Sequence, residues 1–245
     1  MRQYIKTKLQ LTTFVLGLFV LLITGFLVMA NMTLSSIVGI KESSDSFYIK
    51  FGSAVGIAFH LLFYTNITNF FLGFMMLLLA YKPENEKVKT VFLSSVISIT
   101  ITFLVYWFLI SWTQNWKNGF GVFTSLVTHA INPILGFIVL YLFRKEVKIN
   151  LWSIIISSSI IVLYFFFALF LYLGTGAEYG FKNGAVVYKF LHFYRPFFVK
   201  TENIGLIVTL DILIFIIGAL IPVILTFVWK LILNLGYKKV WKNKI

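Results

Sequence analysis

The sequence predicts an all-α fold, a polytopic integral membrane protein, and three observations carry that prediction. Of its 245 residues, 60% are hydrophobic and 12% charged, whereas a soluble domain has roughly 45–50% apolar and about 25% charged residues. Apolar runs long enough to cross a hydrocarbon layer of about 30 Å recur from one end of the chain to the other. The lysines, which dominate a net charge of +13, sit in short segments beside those runs, as anchors to an anionic lipid surface do.

That placement argues against nucleic acid and makes membrane lipids the expected partner. Protein partners are not legible. The chain has no cysteine, so no disulfide, thiolate nucleophile or Cys-ligated metal site can form, and neither a metal nor another cofactor is expected. Lys outnumbers Arg 18 to 3, and Phe, Ile and Asn abound. The bias is that of an AT-rich bacterial genome, so the expected location is a cell membrane, crossed several times.

The first span is read over 9–30, behind Arg2, Lys6 and Lys8. This flank resembles a secretory signal, and Val28 and Ala30 resemble a cleavage site, but the run is longer than the usual h-region of about 7–15 residues. The second run, 51–81, exceeds 30 residues, where about 20 suffice to span. Either the helix is strongly tilted or residues 51–63 form a separate interfacial or re-entrant piece, with Gly52 and Gly56 at the break. Further spans are predicted over 91–112, 122–143, 152–174 and 204–233. Pro133 and Pro222 lie inside two of them, which a lipid-embedded helix tolerates where neighbours or water satisfy the freed carbonyl. Residues 1–245 thus read as a single six-helix domain without internal repeats. Alternate loops and tails carry 14 and 7 of the Lys and Arg residues, and the richer set includes both ends, so both termini are expected in the cytoplasm.

Polar residues inside spans are informative, because an unsatisfied polar group in hydrocarbon costs several kcal/mol. In the second span Thr65, Thr68 and Asn69 fall within about a third of the helix circumference, with Asn66 at its border. In the fourth, Ser125, His129 and Asn132 follow at i, i+4 and i+7, beside Thr124 and Thr128 and just before Pro133. These stripes either bind helices together, at about 0.6 kcal/mol per bond, or line a site. An imidazole within a span suits proton transfer near neutral pH. His60 points about 140° away from Thr65 on an ideal helix and is not expected to share its site. Asp211 is the one acidic residue in a confidently placed span, either an interfacial carboxylate or a partner of a basic residue such as His129. Ser95, Ser98, Thr102 and Tyr106 in the third span, and Ser153, Ser157 and Tyr164 in the fifth, read as packing positions. His192 and Arg195, in an aromatic and basic segment between the last two spans, read as headgroup contacts.

Absent motifs narrow the chemistry. There is no Gly-rich phosphate loop, no H-E-x-x-H and no G-x-S-x-G, which disfavours a nucleotide-driven pump, a zinc protease and an ordinary serine hydrolase.

The segments Tyr64-Thr65-x-x-Thr68-Asn69 and Thr128-His129-x-x-Asn132-Pro133 resemble the signatures of the androgen-inducible protein family. Its members are six-helix intramembrane threonine hydrolases of fatty-acid esters of hydroxy fatty acids, with bacterial six-helix relatives of unknown activity. The segment Tyr194-Arg195-Pro196-Phe197 is similar in kind to one before their last helix. The resemblance implies Thr65 as nucleophile and His129 as general base, acting on a lipid substrate. Asn69 or Thr68 could then steady the oxyanion, with Ser125, Asn132 and Asp211 as supporting or substrate-binding residues. The chain departs from the animal enzymes in having Thr68 where Asp or Ser is familiar. The alternative is a carrier or small-molecule-binding transport subunit whose polar stripes line a path near the midplane. A third reading is a scaffold whose polar residues pair among themselves.

Overall fold

The computed structural model describes residues 7–38, 55–179 and 181–238, and among them the chain is helical throughout, apart from turns and one two-residue strand pair. Six helices are long and apolar enough to cross a membrane: Lys8–Ile37, Tyr64–Tyr81, Glu86–Ile110, Gly119–Leu142, Leu151–Ala177 and Ile204–Leu233. The helical elements are α1 (Lys8–Val38), α2 (Phe59–Leu62), α3 (Tyr64–Tyr81), α4 (Glu86–Val105), α5 (Gly119–Leu126), α6 (Asn132–Leu142), α7 (Leu151–Tyr179) and α8 (Ile204–Leu233). Residues 51–54 of the expected second span lie outside the described residues, as do the basic positions Arg2, Lys6, Lys41, Lys50, Lys239, Lys242 and Lys244.

The second span begins at Tyr64, because the chain breaks twice before it. Gly56 takes a left-handed φ of 68° at the head of a 3-10 turn, and Phe63 is extended (φ −63°, ψ 133°) between α2 and α3. The Tyr164 hydroxyl donates to the Leu62 carbonyl at 3.0 Å, satisfying an acceptor that the end of a helix leaves open. Residues 56–62 are therefore a short separate piece.

Where the sequence reads as one domain, the contacts separate two compact units. One draws on segments 1–27, 64–158 and 221–245, the other on 28–63 and 159–220.

In the first unit α4 is the core helix. Every residue from Phe92 to Thr102 is buried, as expected of a helix whose sides are all apolar or small. Most of its hydroxyls are consumed within the fold: Thr90 donates to Glu86 O, Ser95 to Phe92 O and Thr100 to Val96 O, and Ser94 divides its one proton between Thr90 O and Ser153 O, while Ser98 Oγ is buried with no partner among the described residues. Such back-bonding is how hydroxyls sit inside a helix without water.

At the start of α4 the chain is stapled. Buried Lys89 lies 3.1 Å from Glu86 and 3.7 Å from Glu146, and Lys238 lies 3.0 Å from the other Glu86 oxygen. β1 (Lys148–Ile149) pairs in parallel with β2 (Gly236–Tyr237). Asn150 caps α7, accepting from Ser153 N–H at 2.9 Å and donating to Thr90 Oγ1 at 2.8 Å. Losing a cap and an interhelical bond together, Asn150→Ala is expected to destabilise the chain by about 1–2 kcal/mol. A detergent-solubilised thermal melt with no change from the parent would refute it.

The second unit is built on aromatic rings. Ala168, Tyr172, Val186, Val187, Leu191 and Phe193 form its buried centre, with Phe63, Tyr164, Phe165 and Tyr188 packed on it. The chain after α7 folds back onto that helix: Ala185 N–H donates to Thr175 Oγ1 at 2.7 Å, and a Cβ on Gly184 would collide with the Tyr172 carbonyl. His192, expected among headgroups, is instead 5% exposed, with its ring centroid 5.5 Å from that of Tyr172 and Nδ1 accepting from Tyr194 N–H. Lys182 and the Tyr194 hydroxyl both bond Glu202, and Lys182 most of all holds its carboxyl below the usual carboxylate range.

Candidate functional site

The polar stripes of the second and fourth spans meet in the first unit, and proline is the reason they meet as they do. Pro133 has no N–H, so in an α-helix the carbonyl four residues earlier, that of His129, loses its partner. Residues Val127–Ile131 answer by widening into a π-turn in which Asn132 N–H reaches back to Val127 O. That step also leaves the Thr128 carbonyl without its helical donor. Two side chains from neighbouring spans take the freed carbonyls: Asn69 Nδ2 donates to Thr128 O at 3.1 Å, and Trp107 Nε1 donates to His129 O at 3.0 Å.

Trp107 lies in a second π-turn, Tyr106–Ile110, which continues α4. π-turns are rare and concentrate at functional positions. Here two of them face each other. The Tyr106 ring stacks on the His129 imidazole with centroids 4.0 Å apart and planes at 6°. The Tyr106 hydroxyl donates to Gln114 Oε1 at 2.8 Å, and Ser125 Oγ donates to the same oxygen at 2.9 Å. The Thr102 carbonyl is the backbone acceptor beside the imidazole. His129 Nδ1 is buried and makes no hydrogen bond among the described residues.

Asn69 is the hub on the other side. It is fully buried, gives its amide protons to Thr65 O at 2.7 Å and Thr128 O, and accepts from Asn132 Nδ2 at 2.7 Å. Asn132 also donates to Thr24 Oγ1 of α1 at 3.1 Å, while its Oδ1 is buried with no partner among the described residues. Thr68 Oγ1 donates to Thr65 O at 3.0 Å and shares a 2.8 Å bond with Thr102 Oγ1. Since a hydroxyl has one proton, Thr102 supplies the proton of that second bond.

The structure thus joins Thr68, Asn69, Asn132 and the Thr65 carbonyl in one network, and sets Ser125 and His129 in another around Tyr106. Ser125, His129 and Asn132 do not form one stripe, because the π-turn adds residues to the turn between them and rotates Asn132 toward α1 and α3. No hydrogen bond joins the Thr65 hydroxyl to His129 among those the described residues make. Asp211 belongs to the second unit, where its Oδ1 is buried without a hydrogen-bond partner among the described residues and Tyr172 is an ionisable neighbour.

Trp107, Gln114 and Thr24 are the residues that spans and stripes do not reveal, and Tyr106, which reads as a packing position, is the ring stacked on His129. Trp107 alone had a signal: a proline at 133 requires a donor for the carbonyl of residue 129. No group of three or more His, Asp or Glu side chains able to hold a metal occurs among the described residues. Comparison with family models, with curated proteins and with solved structures finds no match.

Proposed function

We propose that the chain is a membrane-embedded hydrolase of lipid esters, seated in a bacterial cell membrane with both termini in the cytoplasm, in which Thr65 is the nucleophile and His129 its base. One observation carries the reading. The His129 imidazole is held by the Tyr106 stack and by the Trp107 bond to its own carbonyl, while Nδ1 meets no donor among the described residues. A positioned, unpartnered nitrogen is what a general base requires.

In the reaction the Thr65 hydroxyl proton passes to His129 as Oγ1 bonds the ester carbonyl carbon, the departing alkoxide recovers it, and water then repeats the transfer on the acyl-threonine, releasing the carboxylic acid and restoring the hydroxyl. The two groups must approach to about 2.6–3.2 Å for that transfer, so substrate binding has to draw α3 and the π-turn together. Oxyanion stabilisation by Asn69 or Thr68 has a cost, since their protons are already given to Thr65 O and Thr128 O.

Those committed protons favour a second reading, a carrier. Irregular turns in adjacent spans, with carbonyls turned out of the helix, are the usual makings of a midplane binding site.

Proteoliposomes carrying the parent, Thr65→Ala or His129→Gln chain and a fluorogenic fatty-acid ester separate the readings. Each variant is expected to lose about 10²–10⁴-fold in hydrolysis. Parent-like turnover by a folded Thr65→Ala chain ends the hydrolase reading, and ester uptake without hydrolysis favours the carrier.

A further inference from the structure

A hydroxyl–imidazole pair that the site above does not use lies in the second unit. Ser35 Oγ is 2.8 Å from His60 Nε2, within the distance at which a base takes a hydroxyl proton. Neither residue is sealed, since both are partly exposed. Ser35 is in the last turn of α1, and His60 is in the one-turn α2, its ring centroid 3.9 Å from that of Phe59 and 6.3 Å from that of Phe63. Two backbone elements therefore set the pair.

Its depth in the bilayer follows from helix length. Ser35 is 27 residues beyond Lys8 in one continuous helix, which is about 40 Å at 1.5 Å per residue. A hydrocarbon layer is about 30 Å thick, so with Lys8 at one surface Ser35 reaches the headgroup level of the other. That is where the ester linkages of glycerolipids lie. On the same elements Leu34, Ile37, Ile57 and Leu61 are exposed, Ile37 at 75%, a surface suited to acyl chains, and the exposed hydroxyls of Thr33 and Ser36 beside them are spent on carbonyls of their own helix.

We propose that Ser35, with His60 as its base, is a nucleophile toward carboxylic esters of membrane lipids at that interface. Ser35 Oγ bonds the ester carbonyl carbon as its proton passes to His60 Nε2. The carbonyl–alkoxy bond then breaks, and the leaving alkoxide takes the proton from His60. Water repeats the transfer on the acyl-serine, releasing the carboxylic acid and restoring the hydroxyl. Neither Thr65 nor His129 takes part.

The test is phosphonylation of the full chain in phospholipid nanodiscs by a fluorophosphonate probe, with the adduct mapped by mass spectrometry. Expected are an adduct on Ser35 of the parent chain, its absence in Ser35→Ala, and labelling at least about tenfold slower in His60→Asn. Mapping the parent chain needs no variant to fold. No adduct on Ser35, or equal rates in the parent and His60→Asn, overturns the proposal. An adduct on Thr65 alone overturns it too, while supporting the site in the first unit.

Discussion

Asn69→Ala is expected to lower the unfolding free energy by about 2–4 kcal/mol, the largest loss for any single polar side chain in the first unit. Three hydrogen bonds go with the amide, to Thr65 O, to Thr128 O and from Asn132. Bonds between membrane helices average about 0.6 kcal/mol and reach about 1.7, so the bonds alone account for about half. The rest is asymmetry. Thr65 O keeps Thr68 and Asn132 keeps Thr24, but the Thr128 carbonyl, already released by the π-turn, is left with no donor, at about 1–3 kcal/mol for a buried acceptor. Unfolding in mixed micelles by increasing dodecyl sulfate, followed by far-ultraviolet circular dichroism, measures the difference. A loss under about 0.5 kcal/mol would mean that the π-turn does not depend on Asn69.

Gly73→Val is expected to cost a similar amount by a different mechanism. α1 and α3 cross with their backbones nearly touching: a Cβ on Gly73 would stand 2.8 Å from Leu21 Cγ and 3.1 Å from Leu21 N, and one on Gly17 would stand 2.8 Å from Met76 Cβ and 3.1 Å from Gly73 O. Close approach at small residues is how helices gain packing where lipid gives no hydrophobic drive. Backbone atoms cannot rotate away as a side-chain end can, so the helices must part, and overpacking costs about 1–3 kcal/mol even in forgiving cores. Separation there also pulls Thr24 from Asn132. The same micelle titration should therefore show Gly73→Val and Asn132→Ala to be less than additive; strict additivity would show that the crossing and the polar network are independent.

Much of the helical frame was legible before any coordinates. Runs of the right length announce six helices, and the one ambiguous run, 51–81, carried its own marker in Gly56. The role of Ser95 in α4 was legible as well, since a hydroxyl in hydrocarbon must find a carbonyl and its own helix is nearest, whereas Thr102 turns to Thr68 of α3. The split of Ser125 from Asn132 was not. An ideal wheel gives each residue 100°, and the π-turn before Pro133 breaks that count within five residues. Ser35 and His60, 25 residues apart with a break between them, offered no spacing to read.

The sequence alone determined six helices long and apolar enough to cross a membrane, their order, and which polar residues had to find partners. It could do so because burial in lipid depends on composition and length. Tertiary structure decided who the partners are. Trp107 and Asn69 meet the carbonyls that Pro133 releases, Tyr106 lies flat on His129, and Ser35 reaches His60, because hydrogen bonds and ring contacts act over about 3–4 Å and therefore depend on how helices cross and where their turns widen.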